Sequence, residues 1–141
     1  MNVDKNYNFD EGKLKKSNLN FAVVGHIEWV TFLKVDHLPK PGVISHSKNS
    51  IDYPAGGGAV IAKTLADLTN KKVHFFTSLG NDYYGEQCFN ILSNMGLKLH
   101  VAWRDKPTRR GFSLTDYDGE RSITVIGERL APTFKDKLDW K

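Results

Sequence analysis

The run Gly56-Gly57-Gly58 is the feature of this sequence best suited to contact a ligand, because it opens a predicted helix at residues 59–68. Glycine lets a backbone approach a ligand closely, and free N–H groups at a helix N-terminus favour anions or hydroxyl acceptors. The run is not a Walker A loop, since no Lys-Ser/Thr pair follows it. It is also a poor dinucleotide fingerprint, since Ile61 occupies the third glycine position. A tight strand-to-helix connection is the structural alternative, and this feature alone favours neither interpretation.

His26 and Glu28 form a second candidate site directly after residues 21–25, an apolar run ending in glycine that is typical of a buried strand. Ligands of open α/β sheets bind beyond the carboxyl ends of the strands, so this place favours ligand contact. The alternative is that the two residues only complete a turn. Arg109 and Arg110 could clamp a phosphate or carboxylate, although paired arginines at an exposed hairpin also keep a sheet edge soluble.

Three other kinds of site find no support in the sequence. The five histidines lack the paired spacing with cysteines or carboxylates that metal sites need, so no metal ligand is expected. No Gly-x-Ser-x-Gly motif supports a Ser-His-Asp hydrolase. The single cysteine, Cys88, cannot form an internal disulfide, and its place in a helical stretch predicts a buried thiol and not a nucleophile.

The candidate residues must be positioned by alternating strands and helices. Apolar runs predict strands at residues 21–25, 30–35, 73–79 and 97–103, with thin edge strands within 43–53. Asp118-Gly119 between two alternating runs predicts a hairpin. Helical spacing predicts one helix with Ile61, Leu65 and Leu68 on its packed face and another near residues 86–95. This order indicates a three-layer α/β domain with a mainly parallel sheet and a smaller β element.

The 141 residues carry a formal net charge of +4 and include eight Phe, five Tyr and three Trp, which indicates one globular domain. The basic residues are scattered, so no nucleic-acid partner is expected. No apolar run reaches the roughly 18 residues that span a bilayer, and no signal peptide is visible. We therefore expect no membrane partner and a cytoplasmic location. Residues 1–20 are predicted to be a flexible leader to a domain at 21–141.

Three segments in this order resemble the ribokinase-like (PfkB) family of carbohydrate and nucleoside kinases. Residues 55–62, AGGGAVIA, are similar to the family's Gly-Gly-x-Gly-Ala-Asn-x-Ala signature. Residues 79–86, LGNDYYGE, are similar to its Gly-x-Asp-x-x-Gly turn. Residues 118–122, DGERS, resemble its Asp-x-x-Gly-Glu-Arg-Ser hairpin. The resemblance extends over residues 20–130.

The resemblance implies the N-terminal portion of a ribokinase-like domain, with an incomplete three-layer sheet, flanking helices and a β-sheet lid near residues 30–53 and 108–127. It implies transfer of the γ-phosphoryl group of ATP, with Mg²⁺, to a hydroxyl of a sugar or nucleoside. Such transfer rests on positioning and electrostatic stabilisation, plus a base for the hydroxyl proton. The implied substrate-binding residues are His26, Glu28, Gly56, Gly57, Gly58 and Arg110.

The sequence departs from the family pattern at three points. Val60 replaces an Asn that binds sugar hydroxyls, Val30 stands where an acidic residue is frequent, and the Asp-Thr-x-Gly-Ala-Gly-Asp signature is absent. Catalytic residues are therefore expected beyond Lys141, and this truncated chain is expected to be inactive. An open sheet edge would remain, so we expect a homo-oligomer through the lid or that edge. A non-catalytic sugar-binding, nucleoside-binding or self-association module is the alternative function.

Overall fold

The computed structural model describes residues 19–140. Residues 1–18 of the predicted flexible leader lie outside the described residues. Neither helix of the described chain is long and apolar enough to cross a membrane. The elements are β1 (Phe21–Val24), β2 (Glu28–Val35), β3 (Ser47–Ala55), α1 (Gly57–Thr69), β4 (Val73–Gly80), α2 (Tyr83–Asn94), β5 (Lys98–Arg104), β6 (Arg110–Thr115) and β7 (Arg121–Ile126).

Strands β1, β4 and β5 form a parallel sheet in the order β1-β4-β5. Both helices pack on one face of this sheet, because their apolar side chains share a core with alternate residues of β4. That core includes Ala62, Val73, Phe75, Cys88 and Leu92. Cys88 is buried as predicted, and burial raises the pKa of its thiol to about 12. The alternating strands and helices confirm the predicted α/β class.

The packed face of α1 differs in part from the prediction. Leu65 packs against the core as predicted, but Ile61 and Leu68 are 59% and 80% exposed. The residues that α1 buries fully are small, namely Gly58, Ala59 and Ala62. Small residues let the helix axis lie close to the sheet, and Ile61 and Leu68 lie on the side that faces solvent. Apolar spacing alone does not predict this, because it does not measure how closely two elements approach.

Strands β2, β3, β6 and β7 form a separate mixed sheet in the order β3-β2-β6-β7. Strand β2 pairs antiparallel with β3 and parallel with β6, and β6 pairs antiparallel with β7. The β6–β7 hairpin turns at Gly119, whose φ is 88°, as the Asp118-Gly119 pair predicted. Phe32, Ile51 and Ile123 share one face of the sheet through their cross-strand register and are all exposed. The mixed sheet therefore presents an apolar face to solvent.

Residues 131–140 cross the face of the parallel sheet that is opposite the helices. The Trp140 ring stacks on Phe76 with 4.8 Å between the ring centroids. Arg104 at the end of β5 forms a bidentate ion pair with Asp136, with N–O distances of 2.6 and 2.7 Å. These contacts hold the segment against the sheet at two points.

Asp136→Asn should lower the stability of the fold at pH 7, because it removes the charge that pairs with Arg104. Hydrogen bonds from Arg104 and from the backbone of Thr133 hold the pKa of Asp136 well below its usual range. The stabilisation is therefore complete at pH 7, begins to decline near the unfolded pKa of about 3.9, and is lost fully only as the pH falls through the lowered pKa of the folded state. We expect the urea midpoint of the variant to lie below that of the wild type at pH 7, and the difference to shrink progressively as the pH falls from 5 to 2.

The control is Asp67→Asn, which breaks an exposed i, i+4 ion pair with Lys63. Exposed pairs of this kind contribute little, so the urea midpoint should barely change. Equal losses in the two variants, or a difference between Asp136→Asn and the wild type that does not shrink between pH 5 and pH 2, would contradict the account of the Arg104–Asp136 pair.

Candidate functional site

The carboxyl end of β1 meets the N-terminus of α1 through two glycines in direct contact. A Cβ atom on Gly25 would lie 2.7 Å from the Cα atom of Gly58, and a Cβ atom on Gly58 would lie 2.7 Å from the carbonyl oxygen of His26. No side chain fits at either glycine. The backbone N–H of Gly58 donates to the same His26 carbonyl at 3.2 Å. The contact therefore fixes the loop after β1 against the first turn of α1.

Helix α1 begins without a capping side chain. Its N-cap residue is Gly56, whose φ of 90° is a backbone conformation that favours glycine. The first turn carries no acidic residue. The positive end of the helix therefore faces His26, whose carbonyl oxygen and imidazole take the place of a capping side chain.

The imidazole of His26 lies between Gly57 and Glu28. Its Nε2 atom is 3.4 Å from the backbone nitrogen of Gly57 and 3.6 Å from Oε1 of Glu28. A neutral imidazole with a free lone pair on Nε2 accepts the Gly57 N–H, whereas a protonated one faces Glu28 as a cation. Burial lowers the pKa of His26, Arg129 and Arg109 lower it further, and Glu28 opposes them. The neutral imidazole is therefore the main form at neutral pH.

Glu28 is shared between His26 and Arg109. The Nε atom of Arg109 lies 3.4 Å from the same Oε1 atom of Glu28, and the two side chains are 17% and 12% exposed. Among the described residues the Nε atom of Arg109 is buried without a hydrogen-bond partner. His26, Glu28 and Arg109, which we call the His26 cluster, thus place an imidazole, a carboxylate and a guanidinium together. These groups can bind hydroxyls by donating and by accepting hydrogen bonds.

Five of the six predicted binding residues come together at this place: His26, Glu28, Gly56, Gly57 and Gly58. The sixth, Arg110, does not join them. It pairs with Trp29 in the mixed sheet, and its guanidinium carbon lies 4.4 Å from the centroid of the Tyr84 ring. A ligand contact by Arg110 stays a prediction.

The arginine that reaches the cluster is Arg109, which is not among the substrate-binding residues that the family resemblance implies. Side chains of successive residues in a strand point to opposite faces of the sheet. Because Arg110 faces Tyr84, its neighbour Arg109 faces Glu28. That alternation was visible in the sequence, but choosing between the two faces required the pairing of β6 with β2.

Residues 19–140 contain no group of three or more His, Cys, Asp or Glu side chains that could hold a metal ion. The His26 cluster offers hydrogen bonds and charge to a polar ligand. These hydrogen bonds and charges can bind and orient such a ligand.

Gly58→Ala should disrupt the site, because its Cβ atom would overlap the His26 carbonyl and the Gly25 backbone. Such overpacking costs about 1–3 kcal/mol of unfolding free energy. Gly57→Ala is the matched control, since its Cβ atom would meet only the His26 ring at 3.5 Å. Urea unfolding should show a lower midpoint for Gly58→Ala and an unchanged or slightly raised midpoint for Gly57→Ala. Similar midpoints for the two variants would contradict the close contact.

Residues 18–141 match the pfkB family of carbohydrate kinases. A ribokinase from Dictyostelium discoideum is 27% identical over 111 residues, which are 77% of this chain and 34% of that protein. The crystal structure of a ribokinase from Thermotoga maritima is 31% identical with a TM-score of 0.66, over 77% of this chain and 36% of that one. A ribokinase from Cryptococcus neoformans, solved in complex with ADP, is 25% identical with a TM-score of 0.63, over 76% of this chain and 34% of that one.

The chain spans about a third of the length of each of these relatives. Within that third, the sequence motifs and the fold indicate the same family. The family match covers every residue that the structure describes. This chain belongs to the pfkB family of carbohydrate kinases.

Proposed function

We propose that this chain is the substrate-binding and lid portion of an ATP-dependent kinase that phosphorylates a sugar hydroxyl. The observation that carries the proposal is the His26 cluster, a shielded set of polar side chains at the N-terminus of α1. The carbohydrate kinase family and the relatives named ribokinase support a sugar as the substrate.

Each group of the cluster has a partner on a sugar. The carboxylate of Glu28 accepts hydrogen bonds from hydroxyls, the guanidinium of Arg109 donates to their oxygens, and the neutral imidazole of His26 can do either. The glycines at residues 56–58 present backbone groups without side chains in the way. The family resemblance also assigns Arg110 to the ligand, from the lid.

We propose that the mixed sheet is this lid. Glu28 is the first residue of β2, and the next residues on the same face are Val30 and Phe32. An apolar surface beside a polar cluster excludes water from a bound ligand and strengthens the hydrogen bonds beneath it.

The ADP-bound relative supports ATP as the phosphoryl donor. The described residues contain no group of three or more His, Cys, Asp or Glu side chains that could hold a metal ion. We propose that the catalytic base and the sites for ATP and Mg²⁺ belong to the remaining two-thirds of the length that these relatives have. A cytoplasmic location is part of the same proposal.

Sugar binding by the 141-residue chain is the direct test. The thermal-shift titration uses ribose, fructose and adenosine, and a compound that binds should raise Tm. At a ligand concentration one hundred times Kd, the free energy of unfolding should rise by about 2.7 kcal/mol. ATP should add no further shift, and no phosphorylated sugar should form. Absence of a shift with every sugar and nucleoside would refute the binding role. Turnover by the pure chain would refute the placement of the catalytic base.

Glu28→Gln is the matched site variant, and the exposed Glu120→Gln in the β6–β7 turn is its control. A hydrogen bond to a charged group is worth about 1.5–3 kcal/mol, so Glu28→Gln should weaken sugar binding by tenfold or more. Glu120→Gln should bind like the wild type. Equal Kd values for the two variants would rule out Glu28 as a sugar ligand.

We also propose that the chain self-associates through the lid or through the free edge of the parallel sheet. Ile123 is 52% exposed on the apolar face of the mixed sheet, and Val24 is 62% exposed on β1, an edge strand. Exposed apolar faces and unpaired strand edges both favour pairing with another chain.

Sedimentation velocity at micromolar concentration should therefore show an oligomer. Ile123→Lys should dissociate an oligomer formed by the lid, and Val24→Lys one formed by the edge, because each places a charge in the contact. Whichever variant changes the surface that is not used for self-association serves as the control for the other variant. A monodisperse wild-type monomer would contradict self-association.

A further inference from the structure

The chain passes from the parallel sheet into the mixed sheet between β5 and β6, and Thr108 is fixed at this crossing. The Thr108 hydroxyl donates to Oδ1 of Asp82 at 2.7 Å and accepts from the backbone N–H of Gly80 at 3.0 Å. The backbone N–H of Thr108 donates to Oδ2 of Asp82 at 2.8 Å. Asp82 is the N-cap of α2 and also accepts from the Gly85 N–H. Thr108 is therefore bound to the end of β4 and the start of α2.

Arg109, the next residue, is bound to the mixed sheet. Its carbonyl oxygen accepts from the backbone N–H of Trp29 in β2 at 3.0 Å. Its Nε atom lies 3.4 Å from Glu28, the first residue of the same strand. Two consecutive residues are thus anchored to different sheets, and a planar peptide unit of fixed length joins them. A displacement of Thr108 from Asp82 must therefore move Arg109.

We propose that Thr108 is a positioning residue, which Asp82 and Gly80 hold so that the Arg109 guanidinium stays against Glu28 and balances the charge around His26. The inference rests on the proposed function in taking the His26 cluster as the ligand-binding site. It adds the device that assembles the cluster before any ligand arrives.

The Asp82–Thr108 contact remains intact over the ordinary pH range. Burial disfavours the charged Asp82 carboxylate, but the hydrogen bonds from the Thr108 hydroxyl and from the N–H groups of Gly85 and Thr108 outweigh it, so the pKa of Asp82 is lowered. The carboxylate therefore stays ionised and accepts all three hydrogen bonds. A hydroxyl is required at Thr108, since the same oxygen donates to Asp82 and accepts from Gly80.

His26 reports the position of Arg109 without a ligand. The charged groups that act on its imidazole are Glu28, Arg109 and Arg129. The two arginines lower the pKa of His26, and Glu28 raises it. If Arg109 moves away, one positive charge is lost from the surroundings of His26. The Glu28 carboxylate then acts on His26 without Arg109 to offset it. The pKa of His26 must then rise.

The experiment is an NMR titration of the His26 ring in the ligand-free 141-residue chain, with the signal assigned by its loss in His26→Gln. Thr108→Val keeps the side-chain shape without the hydroxyl, Thr108→Ser keeps the hydroxyl, and Arg109→Ala removes the guanidinium. We expect Thr108→Val and Arg109→Ala to raise the pKa of His26 by similar amounts, and Thr108→Ser to retain the wild-type value. The double variant Thr108→Val/Arg109→Ala should show no further rise, because both changes act through one guanidinium.

Asp82→Asn is a milder variant that keeps the proposal testable if Thr108→Val does not fold. It removes the acceptor for the Thr108 N–H and keeps Oδ1 for the hydroxyl. It should also raise the pKa of His26, although loss of a negative charge by itself would lower that pKa. The direction of the shift therefore separates positioning from a direct charge effect.

An unchanged pKa of His26 in folded Thr108→Val or Asp82→Asn, beside a raised value in Arg109→Ala, would overturn the positioning role. Additive shifts in the double variant would overturn it too. An unchanged value in Arg109→Ala would show that Arg109 does not act on His26. No sugar is present in these titrations, so their outcome is independent of sugar binding, whose failure would instead count against the proposed function.

Discussion

The close contact between Gly25 and Gly58 is the constraint on which the rest of this structure depends. Backbone atoms of β1 and α1 occupy the space in which side chains would stand. The approach explains why the residues that α1 buries fully are small and why Ile61 and Leu68 face solvent. It also brings the His26 carbonyl to the Gly58 N–H, so the loop after β1 has a fixed position. The His26 cluster is a consequence of that position.

The cluster lies where the two sheets meet, and its electrostatics follow from this place. Shielding from water strengthens the attraction between Glu28 and Arg109 and disfavours a charge on His26. One carboxylate therefore balances one arginine while the imidazole remains neutral and free to accept a hydrogen bond. Because Glu28 and Arg109 belong to the mixed sheet and His26 to the loop after β1, the cluster holds together only while the sheets keep their relative position.

The two valines at which the sequence departs from the family pattern have a physical consequence here. Val30 is buried in β2, and Val60 is exposed in the first turn of α1. Neither side chain can hydrogen-bond to a hydroxyl. Under the proposed function, the polar contacts to a sugar therefore come from the His26 cluster and from the backbone at residues 56–58, so recognition depends on the exact placement of a few groups.

The sequence by itself determined the order of strands and helices, the hairpin at Gly119, the burial of Cys88 and the family. Each of these follows from local patterns, because strand alternation, turn glycines and short motifs involve residues close together in the chain. It also placed His26 and Glu28 after a strand and the glycine run before a helix. Only the tertiary structure decided which face of α1 is buried and which arginine reaches Glu28. Both depend on how closely elements pack and on how distant strands pair, and the spacing of residues along the chain does not contain those distances.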